Sequence, residues 1–155
     1  MFEAAWNGGL RFACRQCSGC CSGSPGLVRL GAKDVADLIE GLDMDMDSFT
    51  AAYCRVVDSS SGPCLCLVEK SDFGCIFLES DGCSVYAFRP LQCRTYPFWE
   101  EILETEETWA QEAQYCPGIG SGEMRKPEEI ADCIHAQRAA LPLRPGTAGL
   151  DEGKL

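Results

Sequence analysis

The sequence predicts a small, irregular α+β domain with several short helices and few short strands. Three observations predict it: two short stretches of helical apolar periodicity before residue 55 and a third near the C-terminus, brief β-type runs between them, and twelve cysteines in 155 residues. That length suits one domain with room for a real core. A hydrophobic fraction of 46% points to a globular chain rather than a disordered one.

Val35, Leu38, Ile39 and Leu42 recur at i, i+3, i+4 and i+7, an amphipathic helix ending near Gly41–Asp43. Asp45 or Asp47 starts a second short helix that carries Met46, Phe49 and Tyr53 on one face. Cys64–Glu69 and Cys75–Leu78 read as short strands, and Asp81-Gly82 as a turn. Arg89-Pro90 opens one or two helical turns, since proline suits the first helical position. Residues 100–112 hold six glutamates and form a solvated face or a mobile loop. Cys116-Pro117-Gly118 is a turn. Pro127 starts a last helix with Ile130, Cys133, Ile134, Gln137 and Leu141 on one side. The domain is expected over residues 1–141. Residues 142–155, with two prolines and three glycines, read as a flexible tail.

Twelve cysteines exceed what packing needs. Such a count means disulfides in an oxidising compartment or thiolate ligation of metal in a reducing one. The first ten residues, MFEAAWNGGL, have neither the basic stretch nor the apolar run of a secretory leader. No stretch approaches the apolar length of a membrane span. A cytoplasmic protein without a membrane partner is expected, and metal ligation follows. The net charge of -11 argues against nucleic-acid binding, which needs a basic face. It suits solubility, or a basic protein partner.

The strongest local signal is Cys14-x2-Cys17-x2-Cys20-Cys21. Two intervening residues let both sulfurs converge on one ion at about 2.3 Å. Disulfides between such close neighbours would be strained. Adjacent side chains in extended backbone point in opposite directions. If Cys20 and Cys21 both ligate, they face different centres, or two irons of one cluster. Cys75, Cys83, Cys93 and Cys116 are spaced too widely to chelate alone, but they can complete sites that the N-terminal cluster begins. The order is neither that of a bacterial ferredoxin nor that of a plain zinc ribbon. All-sulfur sites suit zinc and iron–sulfur centres alike, and the choice between them stays open.

Arg11, Arg15, Arg89 and Arg94 flank these cysteines. A guanidinium offsets thiolate charge and donates to sulfur, so Arg89 and Arg94 are candidates to sit behind the ligands. The other cysteines read more simply. Cys133 lies on an apolar helical stripe and Cys54 ends a helix, so both are core thiols. Cys64 and Cys66 face one side of a strand, where packing is the first reading and a thiol switch the weaker one. His135 falls off the apolar stripe and is solvated. No catalytic constellation and no phosphate-binding loop can be built, so no enzyme activity is assigned.

Phe12-x-Cys14-x2-Cys17-x2-Cys20-Cys21 resembles the CxxCxxCC signature of the YkgJ-type cysteine-cluster proteins, described as zinc- or iron-chelating domains. The likeness runs through Cys75-Ile76-Phe77-Leu78, Asp81-Gly82-Cys83-Ser84-Val85-Tyr86 and Arg89-Pro90-x2-Cys93-Arg94-x-Tyr96-Pro97-Phe98, and ends at Cys116-Pro117-Gly118. It implies a metal-binding role and implicates the eight cysteines Cys14, Cys17, Cys20, Cys21, Cys75, Cys83, Cys93 and Cys116. It supplies no reaction. A related cysteine domain accompanies flagellin lysine methylases, but 155 residues leave no room for a separate methyltransferase fold, and that activity is not expected. The expected function is a metal-binding or accessory module holding zinc or an iron–sulfur centre. The alternative is an iron–sulfur redox or electron-transfer protein, or a component of an enzyme system.

Overall fold

A computed structural model describes residues 6–145. It bears out the α+β class: the described residues form five α-helices and three two-stranded antiparallel sheets, none of them closed. They divide into two compact units, each with its own apolar core. One unit comprises the chain up to Cys20 together with Thr95–Ala139. The other comprises Cys21–Arg94 together with the chain from Ala140. Among the described residues, no helix is long and apolar enough to cross a membrane.

The Cys21–Arg94 unit holds both periodic segments. Helix α1 (Ala32–Leu42) buries Val35 and Leu38 and ends on Asp43, whose backbone is left-handed at φ 53°. Helix α2 (Met46–Tyr53) starts on Asp45, whose carboxylate accepts from the Ser48 N–H. That bond satisfies one of the orphan amides of the first turn. Strands β2 (Cys54–Ser59) and β3 (Gly62–Leu67) pair in register from Cys54↔Leu67 to Ser59↔Gly62. The period of two puts Cys54, Leu65 and Leu67 on one face, in a core shared with Leu30, Leu38 and Phe49. Strands β4 (Leu78–Glu79) and β5 (Gly82–Cys83) form a short hairpin around the expected Asp81-Gly82 turn. Helix α3 (Leu91–Thr95) follows Pro90, as expected.

In the other unit, β1 (Leu10–Phe12) pairs with β6 (Ile119–Arg125). Helix α4 (Glu106–Tyr115) takes the second half of the glutamate-rich stretch and buries none of its residues, which fits a solvated face there; residues 100–105 before it form turns and loop. Its cap is Thr105, which accepts from the Thr108 N–H at 3.1 Å. Helix α5 (Pro127–Ala139) starts at the expected proline and buries Ile130 and Ile134 beside Phe12, Phe98 and Leu103.

Three expectations are corrected. The run Cys75–Leu78 is mostly turn, because the Leu78 N–H folds back onto the Cys75 carbonyl at 2.9 Å; only Leu78 enters a strand. Leu141 does not extend the last helical stripe: α5 ends at Ala139 and Leu141 is 81% exposed. Of the stretch expected as a tail, residues 146–155 lie outside the described residues, while Leu143 is buried and hydrogen-bonded on both sides, to Leu30 and to Leu65.

Candidate metal centre

The chain leaves β1 at Phe12 and enters the first cysteine loop under tight steric control. The Ala13 N–H donates to the Gly118 carbonyl at 3.1 Å. A Cβ on Gly118 would lie 2.4 Å from the Ala13 carbonyl oxygen, and one on Gly122 would lie 2.4 Å from the Ala13 Cβ. Gly118 and Gly122 are therefore the space into which Ala13 fits. They serve the residue before Cys14 rather than a phosphate. Two arginines tie the same surfaces together: Arg11 Nη1 donates to the Gly122 carbonyl at 2.9 Å, and Arg15 Nε to Ser121 Oγ at 3.3 Å.

The loop itself is unusual backbone. Gln16 (φ 52°) and Ser18 (φ 64°) are both left-handed, one between the first two cysteines and one just after the second. Neither is glycine, so each conformation costs about 1–2 kcal/mol. Cys14, Cys17 and Cys20 are all exposed, although cysteine is among the residue types most often buried. The Cys17 sulfur lies 3.6 Å from where a Gly19 Cβ would be, and the Tyr115 carbonyl 3.2 Å from it. The loop thus passes over the end of α4. Cys116 caps that helix, its N–H donating to the Glu112 carbonyl at 2.9 Å, and its side chain is buried. Beside it, the Tyr96 hydroxyl donates to Glu112 Oε1 at 2.5 Å. Burial pushes the Tyr96 phenol well above its usual range, with help from Glu112 and Cys116.

In the Cys21–Arg94 unit, the Cys21 carbonyl accepts from the Cys75 N–H at 2.8 Å. Cys75 bridges to Glu69, and its own carbonyl holds Leu78, which pairs with Cys83 across the β4–β5 hairpin. Cys75 and Cys83 are half-buried against the core. Cys93 sits in α3, and the start of that helix is held by residues the sequence reading passed over. Asp34 Oδ1 accepts from the Leu91 N–H at 2.8 Å and Oδ2 from the Gly31 N–H at 2.9 Å. The Gln92 amide spans Leu27 and Arg29. Asp34 is itself buried in the first turn of α1, one residue before Val35 on the apolar stripe, and that position is the signal in the sequence.

The two arginines proposed to sit behind the ligands have other contacts. Arg94 lies 3.9 Å from Asp34, and the Arg89 guanidinium stacks 3.8 Å over the Tyr86 ring. His135 is exposed on α5, as expected.

The remaining cysteines are core thiols. Cys54, Cys64 and Cys66 are buried, and Cys133 packs against the core of its unit. Burial, then the neighbouring Cys66, pushes the Cys54 thiol up to about 12. Burial likewise raises Cys66, whose sulfur lies 3.8 Å from that of Cys64. A thiol held protonated, as Cys66 is, is a poor nucleophile, and both sulfurs of the pair are buried, so it has the character of packing rather than of a switch.

None of the twelve cysteines is half of a disulfide. Among the described residues, no three His, Cys, Asp or Glu side chains converge as a ready metal cage. The donor chemistry nevertheless fits the group the sequence implies. The cysteines of the motif are thiols and three of them are accessible, whereas the lone histidine stands apart on α5. Soft, all-sulfur donors are what zinc and iron–sulfur centres take.

Comparison with known proteins agrees. The family model CxxCxxCC, "Putative zinc- or iron-chelating domain", matches residues 13–117, more than half of the chain. An uncharacterized protein of Methanocaldococcus jannaschii is 27% identical over 128 residues, covering 78% of this chain and 65% of that relative. The chain therefore spans just under two thirds of the relative's length. No solved structure matches the chain significantly.

Proposed function

The chain belongs to the CxxCxxCC family of zinc- or iron-chelating domains, and from that premise we propose that it is a metal-binding module. It holds zinc or an iron–sulfur centre through the thiolates of Cys14, Cys17, Cys20, Cys21, Cys75, Cys83, Cys93 and Cys116, and serves a partner as an accessory module. The observation that carries this reading is the first cysteine loop: three exposed thiols on seven residues, with two non-glycine residues in left-handed backbone. Packing does not account for exposed thiols, and two such residues cost about 2–4 kcal/mol together. Ligation does account for both. A structural zinc site contributes apparent binding energies of about 10–16 kcal/mol, several times that strain. The bound centre supplies thiolate-held charge and, as an iron–sulfur cluster, one-electron chemistry.

The chain's own groups would shape that site. Arg11 and Arg15 flank Cys14 in sequence and would offset part of the charge of a thiolate-held ion. Tyr96 and Glu112 hold a half-buried polar contact beside Cys116. The acidic balance suits a basic partner surface.

Anaerobic purification with metal analysis and an absorption spectrum tests this reading. A colourless protein with stoichiometric zinc, or a brown one with iron and sulfide, is the expected result. Protein that carries no metal and takes up neither zinc nor iron with sulfide under reducing conditions would refute it.

A further inference from the structure

We infer that the eight cysteines form two separate four-thiolate centres: Cys14, Cys17, Cys20 and Cys116 in one, Cys21, Cys75, Cys83 and Cys93 in the other. The inference rests on the metal-binding reading above and says how the ligands are shared. Three observations carry it.

The first is membership. The boundary between the two compact units falls at the Cys20–Cys21 peptide bond, and each unit then contains four of the eight cysteines. Cys20 and Cys21 lie in a single 3-10 turn, Gly19–Cys21, whose three residues per turn set neighbouring side chains about 120° apart rather than side by side. A division at that bond gives each neighbour its own set.

The second is local proximity within each unit. Ala13, the residue before Cys14, is hydrogen-bonded to Gly118, two residues after Cys116, and Gly19 lies against the Tyr115 carbonyl. The loop carrying three cysteines is thereby fixed over the turn carrying the fourth. In the other unit, the Cys21 carbonyl holds the Cys75 amide, and Cys75 holds Leu78, the strand partner of Cys83. Cys93 is carried on α3, which Asp34 anchors within the same unit.

The third is charge. Four thiolates around one divalent cation leave a net charge of about -2. Arg11 and Arg15 flank Cys14, and Arg89 and Arg94 flank Cys93. Each unit thus keeps two guanidinium groups near its own cysteines in sequence, Arg11 and Arg15 held on Gly122 and Ser121, Arg89 and Arg94 on Tyr86 and Asp34.

Native mass spectrometry of the full chain, purified anaerobically or reloaded with zinc or with iron and sulfide, counts the centres directly. Two centres per chain are expected. Cys17→Ser and Cys20→Ser should each lose one centre and keep the other; so should Cys83→Ser and Cys21→Ser. Pairing Cys17→Ser with Cys83→Ser should remove both, whereas pairing Cys17→Ser with Cys20→Ser should still leave one. Cys14→Ser and Cys93→Ser serve as second variants where a first one fails to fold, judged by circular dichroism. A wild-type chain with one centre, or a single variant that loses all metal while folded, overturns the division but leaves metal binding standing. A wild-type chain that holds no metal overturns both.

Discussion

The approach of Ala13 to the glycines after Cys116 makes a sharp claim about how the first cysteine loop is held. Consider Gly118→Ala. The new Cβ would sit 2.4 Å from the Ala13 carbonyl oxygen, 3.2 Å from the Ala13 carbonyl carbon and 2.9 Å from a ring carbon of Phe12. Two of these neighbours are backbone, so relief requires the end of β1 to move by roughly 1 Å. Overpacking of this kind costs about 1–3 kcal/mol. Displacing Ala13 also weakens the Ala13–Gly118 hydrogen bond, worth about 1 kcal/mol. An opposing term exists: replacing glycine stiffens the unfolded chain and stabilises by about 0.4–1 kcal/mol. The clash wins, leaving a net destabilisation of about 1–3 kcal/mol, or roughly 3–10 °C in melting temperature for a chain of this size.

The assay is a urea or thermal melt of the metal-loaded chain, with metal content measured beside it. Gly8→Ala is the control. A Cβ there meets nothing within 4 Å and the backbone is not left-handed, so its effect should stay within about 0.5 kcal/mol. Gly118→Ala should also lower the metal retained by a chain carrying Cys83→Ser, which the proposed division leaves with the first centre alone. If Gly118→Ala melts with the control and keeps its metal, close packing of Ala13 is not what fixes the loop.

Asp34→Ala should cost about 2–3 kcal/mol, because it removes a buried charged acceptor from two backbone amides; a chemical melt checks this, and a neutral variant would remove Asp34 as the anchor of α3. Stability should also fall on the alkaline side. The folded chain keeps the Cys54 proton up to about 12, whereas an unfolded thiol releases it near 9.0. The contribution is therefore whole below pH 9 and declines as pH rises toward 12, by about 1.4 kcal/mol per pH unit. Urea midpoints between pH 8 and 11 measure that slope, and Cys54→Ala should flatten it. Finally, a thiol-alkylating reagent on metal-free folded protein should label Cys14, Cys17 and Cys20 first and leave Cys64 and Cys66 unlabelled until unfolding. Early labelling of Cys64 or Cys66, read by peptide mapping, would revive a thiol switch.

Which parts of this molecule were legible in its sequence follows from the range of the forces involved. Helices α1, α2 and α5 declare themselves because the information is local: Val35 and Leu38 at helical spacing, Asp45 beside the amide it caps, Pro127 at a first turn. Strand β6 is hidden because its glycines look like loop residues. One of them, Gly122, makes room for Ala13, more than a hundred residues earlier, as Gly118 does just before the strand. The Cys75–Leu78 run has strand composition, but a turn between Cys75 and Leu78 takes it instead.

The cysteines divide in the same way. The eight cysteines proposed as ligands are picked out by their spacing and by the family motif. Spacing alone relates Cys14, Cys17 and Cys20, whose separations are within one loop. It says nothing about which distant cysteine joins them. Only the fold brings the Cys116 turn under that loop, and only the fold joins the Cys21 backbone to Cys75. Chain neighbours can therefore belong to different structural units, as Cys20 and Cys21 do, and residues far apart in sequence can share one. The proposed grouping therefore rests on backbone hydrogen bonds and glycine clearances rather than on the cysteine motif.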